Sequence, residues 1–105
     1  MLTDKQFNDA FTAAGGKFFA NTYEYIAENI NLSTSELVKD LYHLGYDSDE
    51  SGTRTRVTSS KRLIKDDSGI RALKKVARSQ KIDQKAVVLA QKILGECFNI
   101  LDYEE

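Results

Sequence analysis

Two short signatures, Thr3-x-x-Gln6 and Ser33-x-x-Glu36, each stand immediately before apolar residues at helical spacing, and they constrain the fold more than any other feature of the chain. In such a capping box the hydroxyl accepts the backbone N–H of the third helical residue. The Gln or Glu side chain in turn accepts the N–H of the cap, so two groups that a helix start leaves unpaired are satisfied together. After Thr3, residues Phe7, Ala10, Phe11 and Ala14 repeat on one helical face, and Gly15-Gly16 stops the run. A second helix is predicted from about Lys17 to Ile30, with Phe19, Tyr23, Ile26, Ala27 and Ile30 on one face and Asn29 and Asn31 at its end. The Ser33 box opens a third helix that buries Leu37, Leu41 and Leu44 and stops at Gly45, and Tyr46 to Gly52 reads as the longest polar loop.

The second half repeats the pattern. A fourth helix is expected over Thr53–Lys65, ending at Asp66-Asp67-Ser68-Gly69, and Ser68 caps a short fifth helix holding Ile70, Leu73 and Ala77. Asp83 caps the last helix, with Ile82 and Val87 placed as a hydrophobic staple. That helix is apolar nearly all round, with Ala86, Val87, Val88, Leu89, Ala90, Ile93, Leu94, Cys97, Phe98, Ile100 and Leu101, which predicts a central position or a second chain against it. The expected fold is all-α: a single compact domain over residues 1–105, of five or six short helices, with the last helix central.

The absence of proline and the presence of only six glycines agree with helices and exclude a collagenous, proline-rich or loop-heavy β architecture. A content of 41% apolar residues supplies one core, and a chain of this size buries roughly 65% of its unfolded surface without a metal or disulfide staple. The single cysteine, Cys97, has no internal partner, so nothing points to an oxidising compartment. No apolar run approaches a bilayer's thickness, and Met1–Lys5 lacks the apolar stretch of a signal peptide, so no membrane association and a cytoplasmic address are expected.

The net charge of −1 conceals a segregation. Residues 1–52 carry three lysines against nine acids, residues 53–92 carry twelve basic side chains against three acids, and the last thirteen residues carry four acids and no base. On the fourth helix Arg54, Thr58, Lys61, Arg62 and Lys65 fall within one stripe about 100° wide, opposite Val57, Ser60 and Ile64, with Leu63 at the edge. On the fifth, Arg71, Lys74, Lys75 and Arg78 follow the i, i+3, i+4, i+7 rule. Like charges at that spacing destabilise an isolated helix by a few tenths of a kcal/mol per pair, which a partner carrying anions relieves. Phosphates suit the role, because arginine forks match their geometry and each neutralised phosphate releases counterions. A solvated face, or neutralisation by the acidic half within the fold or across a dimer, is the plain alternative.

Other motifs carry less. Asp47, Asp49, Ser51 and Gly52 match the opening of a calcium-binding EF-hand loop, but the twelfth position is Thr58 instead of a bidentate glutamate, and Arg54 and Arg56 lie inside it, so a polar turn is expected. A helix-turn-helix would pair Ser33–Leu44 with Thr53–Lys65, yet the eight residues between them exceed the usual turn of about 3–4, which leaves a loose analogy. Gly15-Gly16-Lys17 lacks the remaining residues of a P-loop, His43 is the only histidine, and Cys97 on an apolar helix reads as a small hydrophobe. The five tyrosines sit mainly in the acidic half, which disfavours base stacking on single strands. No enzyme, cofactor or metal is expected. The expected function is nucleic-acid (DNA) binding through basic helices in 53–81. Phosphate contact falls to Arg54, Lys61, Arg62, Lys65, Arg71, Lys74, Lys75 and Arg78, and base contact to Arg54, Arg56, Thr58 and Ser59. The alternative is a protein-interaction or homo-oligomeric module with no nucleic acid.

Overall fold

A computed structural model describes the backbone of residues 2–45 and 50–97, and the side chains of all of these except residues 50, 51, 96 and 97. The described residues form six α-helices: α1 (Asp4–Ala14), α2 (Gly16–Glu28), α3 (Thr34–His43), α4 (Glu50–Lys65), α5 (Gly69–Ala77) and α6 (Gln84–Cys97). Both capping boxes are formed, Thr3 with Gln6 and Ser33 with Glu36. Gly15 ends α1 and starts α2 in a single residue: its N–H donates to Phe11 O, its own carbonyl accepts Phe19 N–H, and its φ of +79° is one that a residue with a Cβ adopts only under strain. Beside it Gly16 lies against the Ile82 side chain, so the α1–α2 corner and the segment before α6 close on each other.

The buried side chains form two clusters. One joins Phe7, Ala10, Phe11 and Ala14 of α1 with Phe19 and Ala20 of α2, Leu63 of α4, and buried positions of α5 and α6. The other joins Phe18 and Ile26 of α2 with Leu37, Val38 and Leu41 of α3 and Val57 of α4. Helices α2 and α4 are therefore the walls common to both, and Ile64 of α4 packs against each cluster. With a radius of gyration of 13.0 Å, the size expected for a folded chain of about 100 residues, the result is an all-α single globule.

Several sequence expectations shift in detail. Helix α4 starts at Glu50, three residues before the expected Thr53, so Gly52 is helical. Leu63 is fully buried while Ile64 is half-buried, which turns the buried side of α4 slightly from the reading above. On α2 the buried residues are Phe18, Phe19, Ala20, Thr22 and Ile26, because α2 serves two clusters and needs a wider apolar arc than one stripe. Thr22 is accommodated there by donating its hydroxyl to Phe18 O at 2.7 Å. Leu44, expected in the core, is 61% exposed, since α3 ends at His43 and the chain turns away at Gly45. Ile70, expected to face inward, is half-buried, and Gly69, Ala72, Leu73, Val76 and Ala77 form the inner face of α5. Ser68 does not cap α5 with its side chain; its hydroxyl donates to Asp66 Oδ2 at 2.8 Å instead. Helix α6 buries Ala86, Val87, Ala90, Ile93 and Leu94 against α5 and α2, but Val88 is 52% exposed, so α6 is packed on one side and is not the centre of the bundle. The expectations for Phe98, Ile100 and Leu101, and for the Cys97 side chain, lie outside the described residues.

Two carboxylates fasten the joints between helices. Asp66, between α4 and α5, accepts the Leu2 N–H at 2.9 Å and the Ser68 hydroxyl at 2.8 Å. The Leu2 N–H first, then the hydroxyl, hold its carboxyl below the usual carboxylate range. Asp83, before α6, accepts the Lys85 N–H at 3.2 Å as expected of a cap, and its other oxygen lies 3.4 Å from the Lys17 ammonium. These same contacts, in that order, lower its carboxyl too. Asp67 takes the left-handed conformation (φ +62°) that terminates α4, with the N–H groups of Asp67 and Ser68 closing on Ile64 O and Leu63 O.

Two outcomes are expected. The Ser60 hydroxyl is fully buried and has no hydrogen-bond partner among the described residues. Ser60→Ala should therefore leave stability unchanged or raise it by up to about 1 kcal/mol, whereas Leu63→Ala, at the same helix face, should cost about 2–5 kcal/mol; urea midpoints read both. For Asp66 and Asp83 the folded chain binds a proton less readily than the unfolded chain does. Their stabilisation is therefore complete above the ordinary carboxylate range and is lost as pH falls through about 4 and below. Asp66→Asn should lower the melting temperature at pH 7 and flatten its decline between about pH 5 and 2. A decline as steep as that of the parent chain would show that this joint contributes nothing.

Candidate functional site

Because Thr53, Val57, Ser60 and Leu63 face the core, the opposite side of α4 carries Arg54, Thr58, Arg62 and Lys65 into solvent. Not all of the predicted stripe is equally available. The Thr58 hydroxyl donates to Arg54 O at 2.9 Å, and the Arg54 guanidinium lies 3.4 Å from Ser35 Oγ at the start of α3. Lys61 is half-buried and donates from Nζ to Leu32 O at 2.8 Å, so it braces the α2–α3 connection. Arg56 and Ser59 are half-buried at the margins. Arg62 and Lys65 stand fully outward and have no hydrogen-bond or ion-pair partner among the described residues.

Helix α5 divides more sharply. Its inner face is apolar, and Arg71, Lys74, Lys75 and Arg78 line the outer side of a groove of about 310 Å³ whose other wall is Phe7 and Asn8 of α1. The Arg71 guanidinium lies 4.0 Å from the Phe7 ring centroid, and its Nη2 donates to Asp4 Oδ1 at 3.1 Å. Lys75 Nζ donates to Asn8 Oδ1 at 3.2 Å and lies 4.8 Å from the Phe11 ring centroid. Cations over aromatic faces are held by the ring quadrupole, worth about 0.5–1 kcal/mol at exposed positions, so two of the four cations are oriented before any partner arrives. Asp4 and Asn8 carry no expectation from the sequence, and Phe7 is expected there only as a core residue. Their i, i+3, i+4 spacing puts them on one side of α1, but nothing in a sequence pairs that side with α5.

The remaining candidates resolve simply. Residues 50–58 of the supposed calcium loop are helical and cannot wrap a cation, while Asp47 and Asp49 lie outside the described residues. Among the described residues no three or more His, Cys, Asp or Glu side chains group as a metal site would need. His43 lies in a shallow depression with Tyr25, Asp40 and Leu44. There the Tyr25 hydroxyl donates to Asp40 Oδ2 at 2.8 Å, and this bond to a carboxylate raises the phenol above its ordinary value. Among the described residues no helix is long and apolar enough to cross a membrane. Exposed cations are found on the outer side of α5 and on the second half of α4. Comparisons with protein families, with curated proteins and with solved structures found no match to this chain.

Proposed function

We propose that this chain is a small non-enzymatic helical module that binds nucleic acid through the basic outer sides of α4 and α5. One observation carries the reading: Arg71, Lys74 and Lys75 of α5 and Arg78 at its C-cap line a single groove, and Arg71 and Lys75 are already oriented there by aromatic rings. Arg62 and Lys65 add two exposed cations on α4, their side chains without a partner among the described residues. Phosphate contact belongs to Arg62, Lys65, Arg71, Lys74, Lys75 and Arg78. Arg54, Arg56, Thr58 and Ser59, in the first half of α4, are the residues offered for base contact, with α4 then playing the recognition helix and α3 the positioning helix of a helix-turn-helix-like arrangement. A cytoplasmic address is proposed along with this reading.

A second reading, a protein-interaction or homo-oligomeric module with no nucleic acid, draws on the exposed apolar side chains Tyr42, Leu44 and Val88. Sedimentation separates it from the first, since it requires self-association or a protein complex that survives when the basic residues are replaced.

The test is an anisotropy titration of duplex DNA and duplex RNA at about 50 and 200 mM salt. Binding at low salt that weakens steeply with added salt is the expected result. The exposed pair Arg62→Gln and Lys65→Gln should change stability by no more than about 0.5 kcal/mol. It should weaken binding to all sequences alike and reduce the salt slope by about one unit per lost contact. No binding at low salt overturns the proposal.

A further inference from the structure

We infer that the groove between α1 and α5 is a seat for one phosphoryl group, held chiefly by Arg71 and Lys75, and that the phosphoryl group displaces the Asp4 carboxylate from its bond to Arg71. The inference deepens the nucleic-acid reading and rests on it only for where the phosphoryl group comes from. Arg71 is fixed from below. Its guanidinium stacks 4.0 Å from the centroid of Phe7, a ring that is itself buried in the larger core cluster and cannot swing away. A guanidinium so held keeps a constant plane, and only one of its donors is engaged, by Asp4 Oδ1 at 3.1 Å. That bond shows that the site accepts an oxygen anion at Arg71 Nη2. Asp4 is a weak holder of the place, because its side chain is 90% exposed and loses little by returning to water.

Lys75 supplies the second ligand. Its ammonium lies within reach of both rings, 4.8 Å from the Phe11 centroid and 5.9 Å from that of Phe7. Its recorded partner is the neutral Asn8 amide oxygen at 3.2 Å, so its charge is not cancelled there. With Asn8 Oδ1 taken, the Asn8 NH₂ group remains as a further donor at the groove wall. A carboxylate offers two oxygens and one charge. A terminal phosphate monoester offers three oxygens and up to two charges, and an internal diester two oxygens and one charge on a tetrahedral centre; either, seated in the groove, can meet the Arg71 fork and the Lys75 ammonium together, whereas Asp4 bonds Arg71 alone. The groove, at about 310 Å³, leaves room for what the phosphoryl group is attached to, with Lys74 and Arg78 along that path.

The experiment compares the parent chain, Asp4→Asn, Arg71→Gln with Lys75→Gln, and the triple variant, each checked for an unchanged circular-dichroism melt. In a low-salt anisotropy titration with a labelled oligonucleotide, Asp4→Asn should tighten binding about two- to fivefold, the range of an exposed ion pair. The Arg71/Lys75 pair should weaken binding, and adding Asp4→Asn to that pair should then change nothing. In parallel, inorganic phosphate should move the Arg71 side-chain N–H and Asn8 amide NMR signals, at lower concentration in Asp4→Asn. Competition by a nucleoside 5′-monophosphate assigns the seat to a terminal monoester. Oligonucleotide shifts at the same signals without such competition assign it to an internal diester. Should the oligonucleotide fail to bind while phosphate still moves these signals, the nucleic-acid reading falls and the seat stands. The seat itself is overturned if Asp4→Asn leaves both titrations unchanged, or if its effect persists without Arg71 and Lys75.

Discussion

The buried side of α4 is the constraint from which the rest follows. Val57 belongs to the cluster formed with α3, Leu63 to the cluster formed with α1, α5 and α6, and Ile64 packs against both. A helix committed in this way cannot rotate about its axis without emptying one cluster or the other. Burial of a large aliphatic side chain is worth about 1.5–3 kcal/mol, which far exceeds the few tenths that repulsion along the opposite basic stripe costs. The stripe therefore faces outward because the core dictates it.

Helix α1 links this core to the surface. Phe7 and Phe11 are buried residues whose rings also support Arg71 and Lys75 from beneath, so the packing that holds α1 in place also sets the positions of two cations. Asp4 and Asn8, a turn apart on the same helix, bond those two side chains. The ion pairs Asp4 with Arg71 and Lys17 with Asp83, which join the first half to the second, lie at the surface, where such pairs contribute at most about 1 kcal/mol each.

Helix existence was legible because its signals are local. The capping boxes at Thr3 and Ser33, the stop at Gly15, the cap at Asp83 and the basic side of α5 all depend on residues within a turn or two of each other, and all are found. What the sequence withheld depends on contacts distant along the chain. Phe18 and Thr22 are buried because α2 is shared by two clusters, and Leu44 is exposed because the chain leaves α3 one residue too early for it to reach the core. Lys61 belongs to the stripe by angle, yet it is drawn to Leu32 O twenty-nine positions earlier. The groove was half visible: the four cations of α5 follow from spacing alone, but their aromatic floor and the Asp4 contact come from a helix more than sixty positions away.

On the proposed reading, anions meet this molecule along α5 and the second half of α4. Mapping backbone amide shifts on addition of a short nucleic-acid duplex at low salt is the decisive experiment. The largest changes should fall at Arg62, Lys65, Asn8 and from Arg71 to Arg78, and should reverse with salt. Shifts confined to Tyr42–Leu44 and the outer side of α6, or none at all, would contradict it.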